Sequence, residues 1–173
     1  QFVDANMIKT IMTANLDQDV QISAECLEYR DFPVLEWIVR FRNCAGTDQA
    51  NQEDGAALTG NSVSGILSDV SAIDFFFAGK DPVLTANNGD FYDFNGYTPT
   101  DVALTPGTVW TQSPTGGRSC NEAYPYQRLM FDGFGLNIAI GWPGEWACRY
   151  EGSEDGVAFC AGQKVIHTIL KPG

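Results

Sequence analysis

A serine or cysteine nucleophile needs an imidazole base, and the one histidine of this chain, His167, would have to supply it. It stands in Val165-Ile166-His167-Thr168-Ile169-Leu170, where it alternates with apolar residues. That is the setting of a structural strand histidine rather than a catalytic base. The chain has no GxSxG elbow, no HExxH pair, no phosphate-cradling glycine loop and no dinucleotide fingerprint. Acid–base pairs among the 22 Asp and Glu carry no signal, because carboxylates are everywhere. No catalytic residue is assigned and no cofactor is implied. The expectation is that the chain is not an enzyme by itself.

The five cysteines offer a different chemistry. None of Cys26, Cys44, Cys120, Cys148 and Cys160 forms a CxxC pair, so no metal site is expected from them. Cys148 and Cys160 flank the turn-rich segment Glu151-Gly152-Ser153-Glu154-Asp155-Gly156. A hairpin centred on residue 154 would set these two thiols opposite each other, close enough for a disulfide. Cys44 and Cys120, each just beyond a stronger element, are expected as a second pair, which leaves Cys26 as a buried free thiol. Disulfides belong to oxidising compartments, and a chain starting at Gln1 without an initiator Met reads as a mature secreted protein. An extracellular or cell-surface location is therefore expected.

Two further groups could bind a ligand. Asn87-Asn88-Gly89-Asp90-Phe91-Tyr92-Asp93-Phe94-Asn95 places side-chain oxygens at intervals, as a calcium loop does, but without EF-hand spacing. Asn and Asp around a glycine are the ordinary chemistry of turns, so no metal is assigned there. The other group is aromatic. Trp110, Tyr124 and Tyr126 lie among Gly, Pro and polar residues rather than in an alternating strand. Sugars dock by laying C–H faces on exposed rings, so these three are the candidate glycan-binding platforms.

The elements that must position these residues are strands. Met7–Asn15 is β-compatible, and Val20–Tyr29 alternates Val20, Ile22, Ala24 and Cys26 with polar neighbours. Arg30-Asp31-Phe32-Pro33 turns the chain into Val34–Arg42, whose Leu35, Trp37, Val39 and Phe41 share one face; the two runs predict a hairpin. Residues 44–64 read as a long polar loop and Ile66–Phe77 as a further strand. Residues 78–127 read as irregular. Order returns at Leu129–Phe131, Leu136–Trp142, Trp146–Glu151, Val157–Ala161 and Val165–Leu170. The prediction is all-β: an antiparallel β-sandwich with long loops, a single domain over residues 1–173. Residues 1–19 are expected either as an edge strand or as a strand exchanged with a neighbouring molecule.

Composition narrows the partners. Hydrophobic residues make up 44% of 173, enough to build a core. The net charge of −12 opposes phosphate backbones and anionic lipid, so neither nucleic acid nor a membrane surface is an expected partner. Neutral glycans are compatible with it.

Five segments, in order, carry a resemblance. Tyr29-Arg30-Asp31-Phe32-Pro33-Val34-Leu35-Glu36-Trp37 with Arg42-Asn43 is the first, and Ile66-Leu67-Ser68-Asp69-Val70 with Ile73-Asp74 the second. Gly116-Gly117-Arg118-Ser119-Cys120 and Ile138-Ala139-Ile140-Gly141-Trp142-Pro143-Gly144-Glu145-Trp146 follow. The closing pair is Ala161-Gly162-Gln163 and Leu170-Lys171-Pro172-Gly173. Together they resemble the amino-terminal domain of α-galactosidase-type glycoside hydrolases, family 36 and its relatives, over roughly residues 20–173. The resemblance implies a β-supersandwich that precedes a catalytic barrel, with the catalytic aspartates on that barrel and none here. It implies a non-catalytic, carbohydrate-associated domain, partnered by a barrel if the chain is part of something longer. The other expectation, from a different class, is a free-standing structural module that self-assembles by strand addition into a homo-oligomer or surface polymer.

Overall fold

The computed structural model describes residues 2–16, 19–45, 63–90 and 93–172. The rest of the polar 44–64 segment, 46–62, lies outside them, as do Phe91 and Tyr92 of the 87–95 segment. Among the described residues there are fourteen strands, antiparallel throughout the three four-stranded sheets, and the only helical element is one 3-10 turn, Phe94–Tyr97. The chain is all-β and forms an antiparallel β-sandwich, as its alternation predicts. It divides into two compact units, residues 1–67 with 167–173, and residues 68–166.

The first unit is a meander of β1 (Phe2–Asp4), β2 (Met7–Asn15), β3 (Val20–Tyr29) and β4 (Val34–Asn43), adjacent in chain order. β2 pairs with β3 along its whole length, Met7 opposite Tyr29 and Asn15 opposite Gln21, and β1 takes the edge. The Met7–Asn15 segment thus finds its partner within its own chain. β3 and β4 pair without a slip from Tyr29–Val34 to Val20–Asn43, around the expected turn. With side chains alternating across the sheet, one face carries the charged Lys9, Glu25, Glu36, Arg40 and Arg42 together with Ile11, Leu27, Val34 and Ile38; the other carries Ile22, Ala24, Cys26, Leu35, Trp37 and Phe41 with Thr10 and Glu28. The carboxyl-terminal segment is tied to this unit at Asn43, whose Nδ2 donates to the Leu170 carbonyl at 2.8 Å. Ser64 accepts from the Leu170 amide through its hydroxyl, also at 2.8 Å.

The second unit is a two-layer sandwich. One sheet is ordered β11 (Phe134–Ala139), β10 (Tyr126–Phe131), β7 (Val83–Ala86), β8 (Thr100–Ala103). The other is ordered β6 (Ser71–Ala78), β13 (Gly156–Gln163), β12 (Trp146–Gly152), β9 (Val109–Gln112). The sheets share a core: Leu84 and Leu129 from one meet Trp146, Tyr150, Val157 and Phe159 from the other. Outside this sandwich, β5 (Leu67–Ser68) and β14 (His167–Thr168), the latter in the first unit, form a two-stranded ribbon. His167 is exposed there, and the regular strand expected over Val165–Leu170 shrinks to those two residues.

Residues 78–127 depart from the reading as irregular. They hold β7, β8 and β9, each of four residues, and the start of β10. None of these runs is longer than the connections around it, so turn residues dominate any window that spans it.

The disulfide expectation is overturned. All five cysteines are free thiols. Cys148 and Cys160 do lie on paired strands, but Cys148 stands opposite Ala161 and Cys160 opposite Arg149. The cause is the turn. The Ser153 amide donates to the Gly156 carbonyl at 2.8 Å, so the loop holds two residues, Glu154 and Asp155, rather than three centred on 154. A one-residue change of register sends a side chain to the opposite face. Cys148 accordingly lies in the core, whereas Cys160 is half-buried with its Sγ 3.2 Å from the Ser71 hydroxyl. Cys44 and Cys120 are not bridged either; they belong to different units. Cys26 is a half-buried thiol in β3 opposite Trp37.

Candidate functional site

The three candidate aromatic residues fall in two places. Trp110 points inward from β9, opposite Tyr150, and their ring centroids are 5.8 Å apart against the sandwich core. It is a packing residue. Tyr124 and Tyr126 lie together on the surface at the entry to β10, with centroids 5.4 Å apart. Tyr126 begins the outward-facing series of β10, where Gln127, Leu129 and Phe131 point inward and Tyr126, Arg128 and Met130 point out. Tyr126 is 60% exposed.

A third ring completes the row, and it has no sequence signal of its own. Tyr97 stands edge-on to Tyr124 at 5.4 Å and is 54% exposed. It reaches this place because two loops are fastened to each other. The Gly89 amide donates to the Gly96 carbonyl at 2.8 Å, and the Asp90 amide to the Cys120 carbonyl at 2.8 Å. Gly89 has φ +67°, and a Cβ there would sit 2.6 Å from the Cys120 carbonyl oxygen, so only glycine allows the loops this close. Two side-chain oxygens of the 87–95 segment are used locally. Asn87 Oδ1 accepts from the Gly89 amide at 3.0 Å, and Asp93 Oδ1 accepts from the Asn95 amide at 3.0 Å, capping the 3-10 turn. That is Asx-turn chemistry.

Polar groups flank the row. Arg118 Nη1 lies 3.6 Å from Asp90 Oδ2, and its Nη2 donates to Asn121 Oδ1 at 2.9 Å. The Arg118 turn is anchored from the next loop. Glu145 Oε1 accepts from the Gly117 amide at 2.9 Å, and Glu145 Oε2 pairs with Lys164 at 3.2 Å. Trp146 Nε1 donates to the Ser119 carbonyl at 2.8 Å from full burial. Gly116–Cys120 and the Glu145-Trp146 pair, distant in sequence, are therefore joined directly.

The electrostatics suit a neutral ligand. Partial desolvation, followed by the nearby Asp90 charge, raises the Tyr97 hydroxyl above the ordinary phenol value. Tyr97 thus presents a protonated hydroxyl at neutral pH. The hydrogen bond from the Gly117 amide, then that from Lys164, holds the Glu145 carboxyl below the ordinary glutamate range. Three rings in a row, edged by a carboxylate, a guanidinium and amides, can stack on apolar faces and hydrogen-bond to hydroxyls. Nothing in the row is an activated nucleophile, and among the described residues no cluster of His, Cys, Asp and Glu could hold a metal ion. No helix among the described residues is long and apolar enough to cross a membrane. Compared with known proteins, the chain matches no family model, no curated protein and no solved structure.

Proposed function

We propose that the chain is a non-catalytic carbohydrate-associated β-sandwich that holds a glycan on the Tyr97–Tyr124–Tyr126 row. The observation that carries this reading is the row itself: two successive centroid spacings of 5.4 Å on an exposed surface. The outer rings are more than half open to solvent. The rings are inclined to one another, Tyr97 edge-on to Tyr124 and Tyr126 at 45° to it, so they line an aromatic patch in which a single exposed ring can stack on a sugar face, and the Asp90–Arg118 pair beside them offers both an acceptor and donors to hydroxyls. The resemblance of Gly116–Cys120 and Ile138–Trp146 to α-galactosidase-type amino-terminal domains supports galactosides as the first ligands to try. An extracellular or cell-surface setting, where glycan polymers are presented, goes with the reading.

The test is titration of labelled protein with galacto-oligosaccharides, followed by NMR. Tyr126→Ala and Tyr97→Ala are each expected to weaken binding about tenfold, the equivalent of ~1.4 kcal/mol for one stacking ring. Their melting temperatures should stay near that of the parent, since both rings are exposed. Trp110→Ala should do the reverse, costing about 2 kcal/mol of stability for a half-buried ring on the core while leaving bound-state affinity unchanged. Tyrosine variants that bind as well as the parent would remove the proposal.

A further inference from the structure

Tyr126 is the first residue of a face that continues beyond the tyrosines. β10 presents Tyr126, Arg128 and Met130 on its exposed side. Strand pairing sets Asn137 of β11 and Thr85 of β7 beside Arg128, and Asp101 of β8 beside Thr85. Residues directly opposite each other in an antiparallel ladder share a face. Asn137, Arg128, Thr85 and Asp101 therefore form one polar row across all four strands of the sheet. The row lies two residues from Tyr126, about 7 Å along β10.

The row is hydrogen-bonded in series. Arg128 Nη2 donates to Thr85 Oγ1 at 3.3 Å, and that hydroxyl donates to Asp101 Oδ1 at 2.6 Å. Among the described residues, Thr85 is the only hydrogen-bond partner of either charged side chain. Most of the guanidinium donors and the second carboxylate oxygen are thus left for a ligand, while Thr85 holds both groups in place. The ends of the row differ. Tyr126 stands opposite Ala139, whose short side chain leaves the flank of the ring open. On the far side Met130 leans over Gly135, where a Cβ would collide with the methionine sulfur.

We infer that this face holds the second ring of a neutral disaccharide whose first ring stacks on Tyr126, with Arg128 and Asp101 as the residues that select it. The inference rests on the glycan reading of Tyr126 and gives the bound sugar a direction. Tyr124 is inclined at 45° to Tyr126, so a sugar lying flat on Tyr126 does not continue onto Tyr124. It continues along β10, where the next linked ring lies over the polar row. Donors gather at Arg128 and acceptors at Asp101, with their backbones about 10 Å apart across two strand spacings. A ring with hydroxyls on opposite edges meets both. A carboxylated ring would be attracted by Arg128 and repelled by Asp101, so the row favours a neutral sugar.

Titration of the labelled full chain with galactose, galactobiose and digalacturonate, followed by NMR, tests it. Galactobiose is expected to bind about tenfold tighter than galactose, the gain from one hydrogen bond to a charged group. The amides of Thr85, Asp101 and Asn137 should shift with galactobiose and stay unmoved with galactose. Arg128→Ala, at an exposed position, should bring galactobiose down to the affinity of galactose, with galactose binding and the melting temperature unchanged. Tyr126→Ala should weaken both sugars alike. If neither sugar binds, or Tyr126→Ala affects neither, the glycan reading falls and this inference falls with it. With the Tyr126 effect intact, three results overturn the second-ring site alone. They are equal affinity for the two neutral sugars, an increment or amide shifts that survive Arg128→Ala, and digalacturonate bound as tightly as galactobiose.

Discussion

Cys148 and Cys160 show how much depends on where a single side chain points. Burial pushes the Cys148 thiol up to about 11, so at neutral pH almost none of it is thiolate, the form that reacts. It sits beside Gln127, whose Oε1 also accepts from the Tyr150 hydroxyl at 2.6 Å, in a core network with no unsatisfied side-chain atom. Alkylation of the native protein is therefore expected to spare Cys148 while modifying the half-buried Cys160. Unfolding without reductant should then expose Cys148 as a thiol. A mapped Cys148–Cys160 disulfide would contradict the register of the hairpin.

Among the elements, the loop that carries Arg118 has a pH dependence of definite sign. Glu145 titrates lower in the folded chain than in the unfolded one, because the Gly117 amide and Lys164 stabilise its charged form. Its contribution to stability is present above the ordinary glutamate value and is lost as pH falls through the lowered folded value. Glu145→Gln should thus lower the melting temperature at neutral pH, and the gap between parent and variant should close as the solution is acidified below the glutamate range. A gap that is constant with pH would mean the carboxylate charge is not what fastens the loop. The long elements were legible from sequence because their alternation runs over nine or ten residues, as in Met7–Asn15 and Val20–Tyr29. The four-residue strands Val83–Ala86 and Val109–Gln112 were not, since two in-facing positions make no period. Turn length was equally hidden: Ser153-Glu154-Asp155-Gly156 can close a loop of two residues or of three, and that choice decides which face Cys160 joins. Of the candidate platform, Tyr124 and Tyr126 were legible and Tyr97 was not. The closeness of Tyr97 depends on the Gly89–Gly96 and Asp90–Cys120 hydrogen bonds, which have no counterpart in local pattern.

At the scale of the whole molecule, the two units bury their strands to different degrees. β12 and β13 occupy the middle of their sheet and carry Trp146, Tyr150, Val157 and Phe159 at 2% exposure or less. β2 is flanked by strands as well, yet Ile11 and Met12 along it are more than half exposed. Opening free energy follows buried apolar contact, so the amides of β12 and β13 should exchange far more slowly than those of β2. Equal protection of these strands would show that the first unit draws its stability from something other than its own burial.

The division of the chain also falls across its tryptophans. Trp110, Trp142 and Trp146 belong to residues 68–166, whereas Trp37 is the sole indole of residues 1–67 and 167–173. Emission from the first unit therefore comes from one half-exposed fluorophore in β4, while that of the second is weighted by the fully enclosed Trp146. A single Trp37→Phe change silences the first signal and leaves the second untouched, so the two units can be followed by light as separate reporters within one chain.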